Sequence, residues 1–346
     1  MIVARTNLEL QAARSNLPGT VGLVMTMGAL HAGHLSLVEA AREHATHVVV
    51  SIFVNPTQFA QGEDYDRYPR TLEADLAALE TVGVDMVYAP TVTDMYPHPP
   101  QATIEPGAIA HILEGEVRPT HFAGVSQVVL KMIHRVRPQV AVFGQKDAQQ
   151  YEVLRQVMGD LDVPVELVCA PIIRETDGLA MSSRNRYLSV EERQLSQALS
   201  QALQAGVASA AQGGTPDQIV SAVRAVLENP VVAPSYTSST PTSRTSDAAT
   251  LVEPKAAESE AVDATGVVNI SANAAARVTP SPTQISVDYV ALASIGSFQV
   301  ICGYGKVPRE FAPLPAGGAE CYLLVAARVG KTRLIDNVIV EVSAHA

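Results

Sequence analysis

The stretch VGLVMTMGALHAGHLSLVEAAREHA, residues 21–45, decides the fold of this chain. Its first part, Val21–Met25, is a short apolar run of the kind that forms a buried strand. Its last part, Gly33–Ala45, has apolar residues at helical spacing, and the turn between the two contains glycine and histidine. A strand that leads through a turn into a helix begins a β-α-β unit. The stretch therefore predicts a parallel sheet with helices packed on it.

The same alternation continues outward from this stretch to about residue 180. Further apolar, β-branched runs predict strands, and helical patterns between them predict helices that cover the sheet. The predicted strands are Val21–Met25, Val48–Val54, Asp85–Ala89, Val140–Phe143 and Val165–Ala170, and the predicted helices are Gly33–Ala45, Thr71–Val82, Val125–Val136 and Gln149–Leu161. We expect an α/β fold with a doubly wound, Rossmann-like domain over residues 1–180. Such sheets bind ligands at the carboxyl ends of their strands, so we expect the chemistry in the loops after Met25, Val54 and Phe143.

Residues 181–346 predict a second, smaller α+β domain. A helical pattern runs from Leu188 to Leu227, and three strands are predicted at Ser286–Leu292, Cys321–Ala327 and Leu334–Val342. Between them, residues 230–284 consist mainly of Ser, Thr, Pro, Ala and Val, with few large apolar side chains. Such a segment buries too little surface to offset its ordering entropy, so we predict a flexible insert. An ordered extension of the small domain, with a strand or two, is the alternative.

Composition narrows the class of protein further. The chain has 346 residues with 24 Lys plus Arg against 35 Asp plus Glu, and its net charge of -11 argues against a nucleic-acid-binding surface. Its three cysteines are widely spaced, so they offer neither a disulfide framework nor a zinc knuckle. No segment has the roughly 20 uninterrupted apolar residues of a membrane span, and the N-terminus lacks the apolar core of a signal peptide. We expect a cytoplasmic protein without membrane or nucleic-acid partners.

The turn after the first predicted strand carries two histidines and two glycines. His31 and His34 stand three residues apart where the helix begins, so their side chains project on one side of its first turn. A helix N-terminus offers unpaired N–H groups and the positive end of the helix dipole, and both attract phosphate. Gly28 and Gly33 allow a ligand to approach the backbone closely. The turn predicts a phosphate site. A capping or packing role for the histidines is the alternative, and no further ligands at zinc spacing are evident.

Polar residues follow other predicted strands and form candidate binding groups. Asn55 and Gln58 are neutral amides that can hold a hydroxyl and a carboxylate without permanent charge. Lys146 can neutralise a phosphate, and Asp147 can hold a ribose hydroxyl or a metal. Further along the chain, Met181-Ser182-Ser183-Arg184 combines two hydroxyls with a guanidinium, a set that can follow charge developing on pyrophosphate. Ordinary loop amides, a solvated ion pair and a surface turn are the respective alternatives.

The HxGH turn resembles the signature of the nucleotidylyltransferase superfamily, which also includes class I aminoacyl-tRNA synthetases and cytidylyltransferases. Further sequence blocks select one family within it. In order and spacing they resemble the pantothenate synthetase family over about residues 20 to 340, with only the insert unmatched. These blocks are Ser51–Phe59, Tyr68–Thr71, His121–Val125, Phe143–Asp147 with Gln149 and Gln150, Asp177–Asn185, and Arg333–Asn337.

The resemblance implies a ligase that uses ATP to join pantoate to β-alanine, through a pantoyl-adenylate intermediate, giving pantothenate, AMP and diphosphate. It implies that His34, helped by His31, Lys146 and Arg184, stabilises charge during the transfer. The implied ATP-binding residues are Met27, Gly28, His31, Gly33, His34, Gly144, Lys146, Asp147, Ile173, Met181, Ser182, Ser183 and Arg184. Gln58 and Gln150 are expected to bind pantoate together with Asn55, and Gln58 also lies near the β-alanine site in the family.

The resemblance also implies Mg²⁺ with the nucleotide, a small domain that closes over the site, and a homodimer. Asp75 is a candidate metal ligand, with an exposed helix carboxylate as the alternative. Three residues depart from the family pattern, which has proline at Met25, glutamate at Gln145 and an aromatic residue at Ala148. We expect Met25 to alter the turn and Ala148 to loosen the pocket. A cytidylyltransferase, or a nucleotide-sensing protein without turnover, is the rival interpretation.

Overall fold

The computed structural model describes residues 1–60, 62–230 and 284–344, so the predicted insert at 230–284 lies almost entirely outside the described residues. The strands are β1 (Ile2–Ala4), β2 (Val21–Thr26), β3 (His47–Ile52), β4 (Met86–Tyr88), β5 (Val140–Gly144), β6 (Glu166–Ala170), β7 (Ile285–Ser294), β8 (Val300–Gly305), β9 (Ala319–Val329) and β10 (Thr332–Val342). The helices are α1 (Asn7–Arg14), α2 (Ala32–His44), α3 (Leu72–Thr81), α4 (Val92–Met95), α5 (Glu114–Val117), α6 (His121–Val136), α7 (Ala148–Asp160), α8 (Val190–Ala211) and α9 (Pro216–Glu228).

The first six strands form one parallel sheet in the order β1-β4-β3-β2-β5-β6. The chain moves from β2 to β3 on one side and later returns to place β5 on the other side of β2. At such a reversal the loops that leave neighbouring strands diverge and leave a crevice at the carboxyl ends. The predicted doubly wound fold is confirmed, and the crevice lies beside β2.

The predicted strands and helices of this sheet are confirmed to within a few residues at most boundaries. Two N-terminal elements were missed. β1 has three residues and pairs with β4 at the edge of the sheet, a length too short to give an alternating pattern. α1 begins with a capping box in which the Thr6 hydroxyl accepts from the Glu9 N–H and the Glu9 carboxylate accepts from the Thr6 N–H. That signal was present in the sequence and was not used.

A second, antiparallel sheet follows in the order β10-β9-β7-β8. The helical pattern over Leu188–Leu227 is two helices, because the chain turns at Gly213, whose φ of 77° lies in the left-handed region, and restarts at the Thr215 cap and Pro216. The three predicted strands are confirmed, and β8 was missed. No helix in the described ranges is both long enough and apolar enough to cross a membrane.

The parallel sheet has an apolar cluster on each face, the antiparallel sheet has a core of its own, and a fourth cluster joins the two sheets. Helices α8 and α9 pack through Leu199, Leu203 and Val223 on one face of the antiparallel sheet. On its other face, Tyr289 and neighbouring residues pack with Leu113 and Ala148; the rest of this cluster is Ala291, Ala293, Phe298, Val300, Tyr322, Leu324 and Ala326. The described parts of the chain thereby form one compact unit. The predicted division near residue 180 stays a prediction.

Helix α6 lies unusually close to the loop after β3. A Cβ atom on Gly124 would stand 2.2 Å from the Thr57 carbonyl oxygen and 2.8 Å from the Gln58 nitrogen. These obstacles are backbone atoms, which cannot move aside as a flexible side chain can. Glycine at this position therefore allows α6 to pack directly against the backbone of the loop that carries Gln58.

We expect Gly124→Ala to lower the free energy of unfolding by roughly 1–3 kcal/mol, because overpacking against backbone outweighs the gain of about 1 kcal/mol in helix propensity. Gly159→Ala in α7 is the matched control, since a Cβ there meets nothing within 4 Å and should leave stability equal or improved. Urea unfolding of both variants measures the difference. Equal stabilities would show that the close packing of α6 is unimportant.

Candidate active site

A cavity of about 260 Å³ occupies the crevice at the carboxyl ends of β2, β3 and β5. Nearly every residue predicted from the sequence to bind ATP or substrate lines it. These residues are Met27, His31, Gly33, His34, Asn55, Gln58, Gly144, Lys146, Asp147, Gln150, Ile173, Met181, Ser182, Ser183 and Arg184. Gly28 and Asp75 are predicted site residues that do not line it. The loops after three strands and the segment after β6 therefore meet at one place.

The rings of the two histidines lie against each other at the start of α2, with their planes tilted by 40°. Their ring centroids are 4.1 Å apart, and the His31 N–H donates to His34 Nδ1 at 3.3 Å. Gly33 makes this possible, because a Cβ there would come within 3.0 Å of the His31 ring. The buried Nδ1 atom of His31 has no hydrogen-bond partner among the described residues. A polar atom buried in this way can be satisfied by a ligand in the cavity.

His34 is neutral in this environment. Burial lowers the pKa of His34 to about 3, and the nearby His31 and Lys146 contribute to the shift. Because Nδ1 accepts the backbone hydrogen bond, the proton of the neutral ring lies on Nε2. Burial, followed by Lys146, also lowers the pKa of His31. His34 can therefore donate one hydrogen bond into the cavity without carrying a charge.

Asp75 is buried beneath this turn, in contrast to the exposed helix carboxylate considered as the alternative. Its Oδ2 accepts from the Ala29 N–H at 3.0 Å and its Oδ1 from the Leu30 N–H at 2.8 Å. The Thr71 hydroxyl also donates to Oδ2, at 3.2 Å. A Cβ on Gly28 would stand 3.0 Å from the same oxygen, so glycine lets the carboxylate approach. These contacts make Asp75 a residue that positions the histidine turn, and its metal role stays a prediction.

The loop that carries Lys146 is held by the second sheet. The Asn337 side-chain amide, on β10, donates to the carbonyl oxygens of Gln145 and Lys146 at 2.9 and 3.1 Å. The Gln145 amide donates in return to the Asn337 Oδ1 atom at 3.1 Å, so glutamine at this departure from the family pattern is hydrogen-bonded. Lys146 itself lies 3.7 Å from the Asp147 carboxylate and lines the cavity.

The other two departures lie in different places. Met25 is within β2, paired with Ser51, and lines the cavity, and its effect on the turn that begins after Thr26 stays a prediction. Ala148 is fully buried in the cluster that joins the two sheets.

The Ser182–Arg184 turn lines the same cavity as the histidines. The backbone N–H of Arg184 donates to the Ser182 hydroxyl at 3.3 Å, and the Ser183 hydroxyl lies 3.4 Å from the Tyr68 hydroxyl. The Arg184 guanidinium is partly exposed and lies 3.6 Å from the Asp64 carboxylate. At that distance and exposure the pair is weak, so the guanidinium is available to an anion in the cavity.

Asn55 positions Gln58 and uses its own polar atoms within the protein. The Asn55 amide nitrogen donates to Gln58 Oε1 at 3.2 Å, and Asn55 Oδ1 accepts from the Tyr96 hydroxyl at 2.9 Å. The Gln58 amide nitrogen is left facing Met27, with its sulfur at 3.0 Å, and the cavity. Gln58 therefore has a donor at the cavity, and the hydrogen bond from Asn55 to Gln58 Oε1 fixes the orientation of that donor.

The adjacent amides of Gln149 and Gln150 have different surroundings. Gln149 is buried and bonds to the backbone of Ile109, Ile112 and Glu114, at 2.8, 2.8 and 3.0 Å. Gln150 lines the cavity, and its side chain makes no hydrogen bond within the described ranges. Only Gln150 can serve a ligand.

Two basic residues that line the cavity were not assigned from the sequence. His121 lines the cavity, and its Nδ1 atom lies 3.0 Å from the Gln58 carbonyl oxygen. Arg118 lies beside it, with Nη1 3.1 Å from His121 Nε2 and Nη2 3.3 Å from the Gln58 oxygen. His121 stood in a matching sequence block, but nothing in that block revealed its contacts. Arg118 also lines a larger neighbouring cavity of about 940 Å³, between the two sheets, that shares Lys146 and Arg184.

A cavity built in this way belongs to the HxGH class of nucleotide-binding α/β enzymes. A model of the family described as Pantoate-beta-alanine ligase matches residues 2–339. The chain belongs to this family, and the ligase function implied by the sequence blocks is confirmed at that level.

Relatives and solved structures match this chain over nearly its whole length. A pantothenate synthetase of Thermobifida fusca is 44% identical over 343 residues, covering 97% of this chain and 95% of the relative. The crystal structure of a pantothenate synthetase from Thermus thermophilus matches with a TM-score of 0.73 and 36% identity over 98% of this chain and 99% of that one. A pantoate-beta-alanine ligase from Francisella tularensis, in complex with beta-gamma ATP and beta-alanine, matches with a TM-score of 0.66 and 26% identity over 98% and 97%.

We expect Asp75→Asn to lower the free energy of unfolding by roughly 1–3 kcal/mol, because the amide nitrogen replaces one carboxylate oxygen and so places a donor opposite the N–H of either Ala29 or Leu30. Glu73→Gln, an exposed carboxylate on the same helix, is the control and should have little effect. Both are measured in EDTA, so that bound metal cannot contribute. An Asp75→Asn protein as stable as the wild type would contradict the positioning role.

Stability should fall in acid partly because of His121, whose pKa is lowered to about 4, chiefly by burial and then by Arg118. The unfolded chain takes up this proton near the ordinary pKa of 6.5, whereas the folded protein does not. Acid therefore favours unfolding, and up to about 3 kcal/mol is lost as pH falls from 6.5 to 4. His121→Gln should show a shallower decline in chemical unfolding over this range. An unchanged slope would refute the assignment.

Proposed function

We propose that this chain condenses pantoate with β-alanine in an ATP-dependent reaction, through pantoyl adenylate, to give pantothenate, AMP and diphosphate. The observation that carries the proposal is the convergence of His31, His34, Lys146 and Arg184 on one cavity that also contains the Gln58 and Gln150 amides. The first set suits a triphosphate, and the second suits a hydroxy acid. The Francisella relative, bound to beta-gamma ATP and beta-alanine, supports the choice of substrates.

In the first step a pantoate carboxylate oxygen bonds to the α-phosphorus of ATP, and the bond to the β-phosphate oxygen breaks. Gln58 and Gln150 hold pantoate in line with that phosphorus, so positioning supplies much of the acceleration. His34 donates its Nε2 proton as a hydrogen bond to an α-phosphate oxygen, and Lys146 and Arg184 stabilise the charge that develops on the departing diphosphate. In the second step the β-alanine amine bonds to the acyl carbon, the bond from that carbon to the phosphate oxygen of AMP breaks, and the amine releases one proton to water as AMP leaves.

The N–H groups at the start of α2, including that of Gly33, would bind phosphate oxygens, and Ile173 and Met181 would line the adenosine region. Mg²⁺ would enter as part of the Mg–ATP substrate. Among the described residues no group of three His, Cys, Asp or Glu side chains could hold a metal alone. The half-exposed carboxylate of Asp147 lies in the cavity, where one carboxylate with phosphate oxygens suits Mg²⁺. A cytoplasmic homodimer is the expected setting, carried over from the family resemblance.

The direct test is mass detection of pantothenate and AMP from pantoate, β-alanine and ATP with Mg²⁺. Diphosphate release should require both ATP and pantoate. Diphosphate release that depends on CTP, or that does not require pantoate, would favour a cytidylyltransferase and contradict the proposal. Tight ATP binding without any product would favour the nucleotide-sensing alternative.

We expect His34→Ala to slow adenylate formation roughly 100- to 1,000-fold, the usual effect of removing one donor to a charged transition state. His44→Ala is the matched control, because His44 ends the same helix and is exposed. Single-turnover kinetics separates the chemical step from product release. A His34→Ala rate close to that of the control would end the assignment.

A further inference from the structure

We infer that Arg118 binds the carboxylate of the second substrate, the ω-amino acid, and selects it over simple amines. The inference rests on the proposed function. β-Alanine brings an amine that reacts and a carboxylate that does not. The carboxylate must be held away from the phosphates, at a cation that the nucleotide does not occupy.

Position singles out Arg118 among the cations of the cavity. The Lys and Arg side chains that line it in the described part of the chain are Arg118, Lys146 and Arg184. The charge of Lys146 lowers the pKa of both histidines of the phosphate turn, so Lys146 lies near them. Arg184 directly follows Ser182 and Ser183. Arg118 alone lies at the amide end, bonded to the Gln58 carbonyl oxygen. A carboxylate bound at Arg118 would therefore lie beside Gln58, the residue proposed to hold pantoate.

The hydrogen bonds of Arg118 leave it one donor. Nε and Nη2 form a bidentate pair with Glu63 at 2.8 and 2.7 Å. Nη2 also donates to the Gln58 oxygen, and one Nη1 hydrogen goes to His121 Nε2. A guanidinium has five N–H groups, so within the described residues one Nη1 hydrogen has no protein acceptor.

His121 fixes the plane of this group. Its Nδ1 faces a carbonyl oxygen and so carries the proton, which leaves Nε2 as the acceptor for Arg118. Glu63 already occupies the bidentate edge formed by Nε and Nη2, so a substrate carboxylate would accept a single hydrogen bond from Nη1. Arg118 lines both cavities, whereas Glu63 lines only the larger one.

The test compares β-alanine with propylamine, which has the same length and no carboxylate. Because Arg118→Met alone would leave the Glu63 carboxylate unpaired, the matched pair is Glu63→Gln and the double variant Glu63→Gln/Arg118→Met. We expect the double variant to lose roughly 10- to 100-fold in kcat/KM for β-alanine relative to Glu63→Gln, the usual effect of removing a hydrogen bond to a charged group. Its kcat/KM for propylamine should change much less, so the ratio between the two amines collapses.

An equal loss with both amines would show that Arg118 only supports the structure, and no loss with either amine would show that another group holds the carboxylate; either result overturns the inference. If the double variant does not fold, Arg118→Lys is used, and its ratio should fall roughly 10-fold. Pantoate-dependent exchange of pyrophosphate into ATP is measured in the wild type first. Its absence there would refute the proposed function itself, separately from the role of Arg118.

Discussion

The reversal of strand order around β2 determines where the loops that carry the candidate binding residues come together. Because β3 and β5 lie on opposite sides of β2, the loops that follow these strands diverge and leave a crevice at their carboxyl ends. The histidine turn, the amide loop and the lysine loop each follow one of these strands. Their side chains come from residues far apart in sequence and are close only because parallel strands end at the same edge.

The walls of the crevice are held by buried polar contacts. Asp75 accepts the N–H groups of Ala29, whose φ is +52°, and Leu30, and so holds a backbone conformation that alanine rarely adopts. Asn337 holds the lysine loop from the second sheet, and the neighbouring Asp336 forms a two-bond ion pair with Arg174 at 2.6 and 3.0 Å. The second sheet thus supports the loop that carries Lys146. Preorganised groups of this kind need little rearrangement when charge develops.

Much of the fold was predictable, because β2, β3, β5 and the intervening helices have long, consistent apolar patterns. The cavity was predictable for the residues that follow strand ends. The role of Asp75 was not, because its partners lie 45 and 46 residues away in sequence. Gln149 and Gln150 are equivalent in sequence, and only the packing of α7 places one in the core and the other in the cavity. No local sequence pattern marked Arg118, because its proposed role depends on its contacts with Gln58 and Glu63.

The central claim is that one triphosphate is bound by the two histidines, Lys146 and Arg184 together. A crystal structure with a non-hydrolysable ATP analogue, Mg²⁺ and pantoate tests it most directly. The account predicts His34 Nε2, Lys146 Nζ and the Arg184 guanidinium within hydrogen-bond distance of phosphate oxygens, with pantoate against Gln58 and Gln150. A nucleotide bound elsewhere, or phosphates that contact none of these side chains, would contradict it.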